Sequence, residues 1–185
     1  VIRKMFRKEN ISDALLDKLV LYVVIATIVG ARLGHVIFYG PHWGADGYFS
    51  NPLSIFKVWE GGLASHGAAI VILLSLWYYS QKVLKRPYLW MLDRISAPVA
   101  IGATFIRLGN LVNHEMVGDP TTVPWAFKFQ NYWNDQLHMY DPTPRHPAQL
   151  YEAICYLVAF FILLFHYWKK EKFVLVGLML LMISK

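Results

Sequence analysis

The sequence predicts an all-α polytopic membrane protein, a helical bundle with about five transmembrane segments and one long outward-facing loop. The first observation is compositional: 56% of the 185 residues are hydrophobic and only 16% are charged, whereas about 25% is usual in a soluble domain. The second is that the apolar residues form runs close to the roughly 20 residues that a helix needs to cross the hydrocarbon core. The third is the sorting of Lys and Arg between these runs.

The first residues, 1–18, are mixed and basic and predict a short amphipathic helix, with Ser12 as a possible cap for 13–18. Five apolar segments follow, at residues 19–39, 62–80, 92–112, 150–168 and from 173 to the end of the sequence. We expect residues 1–185 to form a single transmembrane domain. Because the last apolar run is cut off, we expect the sequence to be a piece of a longer chain.

Lys and Arg collect in alternate connections, as they do in the cytoplasmic loops of membrane proteins. Twelve of them precede the first segment or lie at the connections between the second and third and between the fourth and fifth segments. Only Lys57, Lys128 and Arg145 lie in the other two loops. Residues 1–18 are therefore predicted to be cytoplasmic, and loops 41–61 and 113–149 to face outward. The net charge of +6 then gives no reason to expect a nucleic-acid partner.

Cys155 is the only cysteine and lies within an apolar segment. A disulfide framework or a cysteine metal cluster therefore cannot form within the chain, and the thiol is predicted to be a small core residue. Neither a metal ion nor a cofactor is expected.

The first polar cluster lies near the outward end of the first segment. Glycines four residues apart, Gly30 and Gly34, let helices approach closely. Arg32 and His35 accompany them. Two interpretations of Arg32 stay open: a neighbouring carbonyl or carboxylate holds it in a helix contact, or it belongs to a site within the membrane.

The second cluster precedes the second segment and contains His66 between small residues. This spacing lets another backbone or a lipid headgroup approach the imidazole. Because imidazole titrates near neutral pH, His66 is a candidate to take a proton from a nucleophile or to bind a headgroup. A buried structural histidine is the alternative.

The third cluster closes the third segment, where an arginine within an apolar run is a functional-site hypothesis by default. Arg107 lies one helical turn before Asn110 and two turns before Glu115, so these groups are predicted to line one side of a helix end. The planar donor fork of arginine matches phosphate oxygens bidentately, and in a membrane the commonest phosphate is on a lipid. The alternative is a structural ion pair between arginine and glutamate.

The fourth cluster joins the loop 113–149 to the fourth segment. This loop is rich in aromatic residues and predicts either a lid at headgroup level or an ordinary loop anchored there. Pro147, expected at the first helical position, would place His146 at the rim. The first turn and a half would then carry Gln149, Tyr151 and Glu152.

The order and spacing of these motifs over residues 30–152 resemble those of the prolipoprotein diacylglyceryl transferase family of the bacterial inner membrane. The motifs that carry the resemblance are Gly30-Ala-Arg-Leu-Gly-His-Val-Ile-Phe-Tyr39, Trp59-Glu-Gly-Gly-Leu-Ala-Ser-His-Gly67, Arg107-Leu-Gly-Asn-Leu-Val-Asn-His-Glu-Met-Val-Gly118 and Arg145-His-Pro-Ala-Gln-Leu-Tyr-Glu152. The resemblance implies transfer of the diacylglyceryl group of phosphatidylglycerol to the lipobox cysteine thiol of a prolipoprotein. Glycerol phosphate would leave and a thioether would form. It also implies that loop 113–149 is periplasmic.

The resemblance further implies roles for individual residues and partners. The catalytic residues would be His66, Arg107, Asn110 and Glu115, and the substrate-binding residues Arg107, Gly118, Arg32, His146 and Tyr151. The partners would be phosphatidylglycerol, membrane lipid and prolipoprotein signal peptides with a lipobox cysteine.

Two other functions stay open on the residues alone. A transporter or a proton- or anion-conducting protein would line its path with the intramembrane Arg, His and Glu residues. A structural subunit would use them only to join helices. An intramembrane metalloprotease is disfavoured because the sequence has no His-Glu-x-x-His motif.

Overall fold

The computed structural model describes residues 1–40, 47, 48, 50–134 and 138–169, with only the backbone of Glu60. Its helices are α1 (Ile2–Lys8), α2 (Asp13–Phe38), α3 (Ser65–Tyr78, continued by a π-helical stretch Tyr79–Leu84), α4 (Tyr88–Val112) and α5 (Ala148–Lys169). Two 3-10 turns, Pro52–Phe56 and Val58–Glu60, precede α3. Four helices, α2 to α5, are long and apolar enough to cross a membrane. The prediction of an all-α polytopic membrane protein is confirmed, while the fifth predicted segment lies outside the described residues.

The helix starts differ from the predicted ones by a few residues, and for α2 and α3 the reasons are local. α2 begins at Asp13, so residues 13–18 are the first part of a spanning helix and not a helix of their own. Ser12 is at its N-cap but makes no side-chain cap hydrogen bond. α3 begins at Ser65 instead of residue 62, because Gly61 and Gly62 have φ values of 86° and 69°, which lie outside the helical region.

Contacts divide the chain into two compact units, Ile2–Leu92 and a second one that begins at Asp93. In the first unit α1 is fixed by burial of Met5 and Phe6, and the ring of Phe6 lies 6.2 Å from that of Trp90. The hydroxyl of buried Tyr79 donates a 2.6 Å hydrogen bond to the carbonyl of Leu15. These contacts join the amino-terminal helix and the π-helical stretch to the bundle.

The contact between α2 and α3 depends on glycine. A Cβ built on Gly30 would lie 2.7 Å from the carbonyl oxygen of Gly67, and one built on Gly34 would lie 2.6 Å from the Cα of Gly67. Real Cβ atoms do not approach other atoms this closely, so the two backbones meet only because all three residues lack a side chain. The prediction of close helix approach at Gly30 and Gly34 is confirmed.

The second unit contains α5 and the long loop before it. The loop has two antiparallel strand pairs, β1 (Phe127–Lys128) with β4 (Pro144–Arg145) and β2 (Trp133–Asn134) with β3 (Met139–Tyr140). On α5, Cys155 is exposed, so its prediction as a core residue is wrong. The outer face of α5 carries exposed apolar side chains, so an apolar sequence does not indicate the core side of a membrane helix.

Buried Asp141 and Arg145 anchor this loop. A guanidinium Nη2 of Arg145 lies 2.6 Å from a carboxylate oxygen of Asp141, and the same guanidinium covers the ring of Tyr132. Hydrogen bonds from the Thr143 side chain, from Arg145, from the Thr143 backbone and from Asn134 hold the pKa of Asp141 well below its usual range. The loop is thus an ordered structure built around one carboxylate.

We expect Asp141→Asn to loosen the loop at neutral pH and the control Asp119→Asn, at an exposed position in the same loop, to leave it unchanged. A carboxyl whose pKa is lowered by folding stabilises the fold above its unfolded pKa of about 3.9 and loses that contribution as the pH falls further. The wild-type loop should therefore keep its order from pH 7 to about 5 and lose it progressively as the pH falls below about 4 toward the lowered pKa of the folded Asp141 carboxyl. Limited proteolysis at pH 7 compares the variants, and near-ultraviolet circular dichroism follows the pH series. Equal cleavage of Asp141→Asn and wild type would contradict this anchor.

Candidate active site

In the second unit, Arg107 lies in the last turns of α4 and pairs with Glu152 in the second turn of α5. The guanidinium Nε is 2.7 Å from a carboxylate oxygen of Glu152, and the side chains of Arg107 and Glu152 are 23% and 42% exposed. The arginine–glutamate ion pair that the sequence left open is therefore present. Its carboxylate comes from Glu152, three residues after Gln149 in the fourth cluster, and not from Glu115.

The end of α4 explains why Glu115 is not the partner. His114 has a φ of 59°, the left-handed conformation that often ends a helix. The N–H of His114 donates to the carbonyl of Leu111, and the N–H of Glu115 donates to that of Asn110, which is the Schellman pattern. Asn110 lies on the helix one turn from Arg107, as predicted. The prediction that Glu115 shares this helix side is wrong, because the chain turns at His114.

Gln149 connects this turn to α5. Its side chain is fully buried, and its Nε2 donates a 2.5 Å hydrogen bond to the backbone carbonyl of Glu115. Glu152 lies three residues later on the same face of α5. One turn of α5 thus holds the segment after α4, and the next turn reaches Arg107.

Three further predicted residues are brought together at the start of α5. The Tyr151 hydroxyl lies 3.2 Å from Nδ1 of His146 and accepts a 2.8 Å hydrogen bond from Nε1 of Trp125. The N–H of Gly118 donates to the carbonyl of His146, and a Cβ on Gly118 would lie 2.6 Å from that oxygen. Pro147 lies one residue before α5 and not at its first helical position as predicted, and its carbonyl accepts the first helical hydrogen bonds.

In the first unit, Arg32 holds the turn that leads into α3. Arg32 is only 6% exposed. Its guanidinium donates hydrogen bonds to the carbonyls of Ser54, Ile55, Gly61 and Gly62. The N–H of Ala64 also donates to the carbonyl of Ala31. Arg32 is therefore held by carbonyls, one of the two interpretations left open by the sequence, and a part in substrate binding stays a prediction.

His66 follows this turn at the amino end of α3. It is exposed, so the alternative of a buried structural histidine is wrong. It lines a cavity of about 260 Å³ with His35, Tyr39 and Ser65. An imidazole at the rim of a cavity is accessible to a substrate group.

We expect Arg32→Lys to destabilise the first unit although it keeps the charge. A lysine ammonium cannot serve four separated carbonyls, and each hydrogen bond lost from a charged donor costs about 1.5–3 kcal/mol. Thermal unfolding in detergent measures this, with Arg3→Lys on α1 as the control because the Arg3 side chain is 58% exposed. An unchanged melting temperature for Arg32→Lys would show that these hydrogen bonds do not hold the turn.

The fold and these clusters define an integral membrane protein with polar, ionisable groups near helix ends. The family model for prolipoprotein diacylglyceryl transferase matches residues 1–184, and the chain belongs to this family.

Three relatives show how much of the family the chain covers, each described as a phosphatidylglycerol–prolipoprotein diacylglyceryl transferase. The chain is 45% identical to that of Porphyromonas gingivalis over 91% of its own length and 59% of the relative. It is 42% identical to that of Chloroherpeton thalassium over 97% and 64%, and 40% identical to that of Tolumonas auensis over 89% and 59%. The chain thus spans about three fifths of these relatives. Nothing in these matches supports the transport alternative.

Proposed function

We propose that this protein transfers the diacylglyceryl group of phosphatidylglycerol to the lipobox cysteine of prolipoproteins. The observation that carries the proposal is the family match over residues 1–184. It is supported by the substrates named for the relatives and by Arg107, a partly exposed guanidinium of the kind that binds phosphate.

The proposed location follows from the family and from the sorting of basic residues. The chain lies in the bacterial inner membrane as a single transmembrane domain of a longer protein. Residues 1–18 are on the cytoplasmic side and loop 113–149 is periplasmic, since Lys and Arg favour the cytoplasmic loops. Membrane lipid and the apolar part of the prolipoprotein signal peptide both reach the enzyme from the bilayer.

In the proposed reaction the cysteine sulfur forms a bond to a glyceryl carbon, and the bond from that carbon to the phosphate oxygen breaks. The electron pair leaves with glycerol phosphate. The nucleophile is the thiolate, and His66 takes the thiol proton, in keeping with its exposure beside a cavity.

The remaining residues bind and orient the substrates. Arg107 stabilises the charge of the leaving phosphate, and Asn110, one turn away on α4, orients it. Glu115 attracts a backbone amide of the prolipoprotein peptide. Gly118, His146 and Tyr151 form a binding surface at the start of α5, and Arg32 contributes by holding the turn before His66.

The test follows labelled diacylglycerol from phosphatidylglycerol to a lipobox peptide, with full-length protein in detergent at matched folded amounts. We expect transfer by wild type, its loss in His66→Ala and Arg107→Ala, and its retention in the control His166→Ala near the end of α5. The absence of transfer by folded wild type would contradict the proposed reaction. Full activity of either site variant would overturn the role of that residue.

A further inference from the structure

The ion pair of Arg107 poses a chemical problem for a phosphate-binding arginine. Glu152 contacts the guanidinium at Nε, at 2.7 Å. The pair is neutral as a whole, so an arriving phosphate meets no net positive charge unless the carboxylate moves away. Two anions on one guanidinium also repel each other. Glu152 and a phosphate therefore compete for Arg107.

The position of Glu152 allows its carboxylate both to compete with a phosphate for Arg107 and to move away from Arg107. The fully buried Gln149 ties the preceding turn of α5 to the carbonyl of Glu115, which fixes the backbone near Glu152. The Glu152 side chain itself is 42% exposed. A long, half-exposed side chain on a fixed backbone can leave its partner and return at little cost, since ion pairs that are not fully buried contribute little to stability.

The two phosphates of the proposed reaction differ in charge. Phosphatidylglycerol is a phosphodiester with one negative charge, whereas glycerol phosphate is a monoester with a charge of about −1.5 to −2 at pH 7. A lone guanidinium would therefore hold the product more tightly than the substrate. An internal anion beside the same guanidinium repels the more highly charged product more strongly than the singly charged lipid, so its return favours release of the product.

We propose that Glu152 is an exchangeable counter-ion of Arg107: it neutralises the guanidinium in the empty site, yields to the lipid phosphate, and on its return expels glycerol phosphate. This inference rests on the proposed function. It makes Glu152 a residue that acts through Arg107 and governs product release.

The test compares wild type, Glu152→Gln, Glu152→Asp and the control Asp119→Asn. Glutamine keeps the shape of the side chain and removes the competing charge. We expect inhibition of transfer by added glycerol phosphate to become about fivefold stronger in Glu152→Gln, the size expected from a partly exposed ion pair. The KM for phosphatidylglycerol and kcat should both fall, since binding improves and release slows. Glu152→Asp should lie between wild type and Glu152→Gln, and Asp119→Asn should match wild type.

Equilibrium binding of glycerol phosphate, measured by calorimetry on the same preparations, separates the two proposals. Tighter binding of glycerol phosphate by Glu152→Gln than by wild type supports the counter-ion role, whether or not transfer is observed. A failure of transfer would count against the proposed function only. Transfer by wild type together with unchanged or weaker glycerol phosphate binding in Glu152→Gln would overturn the counter-ion and leave the reaction intact. Should Glu152→Gln not fold, weaker or equal binding in Glu152→Asp overturns the inference in the same way.

Discussion

Arg107→Lys is expected to lose most transfer activity although the positive charge is kept. The guanidinium presents a planar fork that can meet two phosphate oxygens at once, whereas an ammonium is a point charge. Glu152 contacts the guanidinium at Nε, and when this carboxylate yields, the fork can meet a phosphate bidentately. Removing such stabilisation of a developing charge costs about 10²- to 10³-fold in rate, and we expect a loss of this order in kcat/KM.

The measurement is the initial rate of diacylglyceryl transfer at matched folded amounts, with Arg3→Lys as the control for a change of side chain outside the site. The double variant Arg107→Lys with Glu152→Gln tests whether the lysine fails only because Glu152 captures it. We expect the double variant to remain inactive, since the fork is still missing. Near-normal turnover of Arg107→Lys would contradict the phosphate clamp.

The local parts of the site were predictable from the sequence. Spacing alone indicated the close approach at Gly30 and Gly34, because a period of four places both on one helix face. The turn of α5 with Gln149, Tyr151 and Glu152 followed from Pro147, a residue that favours the start of a helix. Such features depend on neighbours within one or two turns.

The partner of Arg107 was not predictable from the same signals. It depended on where α4 ends, and the left-handed His114 ends it before Glu115. A helix that continued would have kept Glu115 on the arginine side. Histidine, like asparagine, adopts this conformation more readily than most residues, so Asn113-His114 was a signal for a helix end. The choice of Glu152 also depends on the register between α4 and α5, which no local pattern specifies.

A similar limit applies to Arg32. The sequence allowed a carbonyl or a carboxylate partner and could not choose between them. The structure supplies four carbonyls, two of them from Gly61 and Gly62. Because these glycines adopt positive φ, they do not belong to the helix, and their carbonyls are available to accept hydrogen bonds from the guanidinium. A conformation open mainly to glycine thus determines how the arginine is used.

Among substitutions that add one methyl group, Gly67→Ala is expected to cause the largest loss of folded protein. A Cβ at this position would meet the carbonyl oxygen of Gly30 and lie 2.5 Å from the Cα of Gly34. Both obstacles are backbone atoms of α2, so neither can rotate away as a flexible side chain would. Relief requires α2 and α3 to separate. Overpacking usually costs about 1–3 kcal/mol, and we expect a cost at or above the upper end because the whole helix contact must widen.

Gly102→Ala is the matched control, because it adds the same methyl group within a spanning helix where a new Cβ meets nothing within 4 Å. Alanine favours a helix over glycine by about 1 kcal/mol, so Gly102→Ala should melt at or above the wild-type temperature while Gly67→Ala melts well below it. Folded yield and thermal unfolding in detergent measure both. Because His66 adjoins Gly67, any folded Gly67→Ala protein should also transfer diacylglycerol more slowly per molecule. Equal melting temperatures of the two variants would mean that α2 and α3 do not meet through these glycines. The placement of His66 beside that helix contact would then also be wrong.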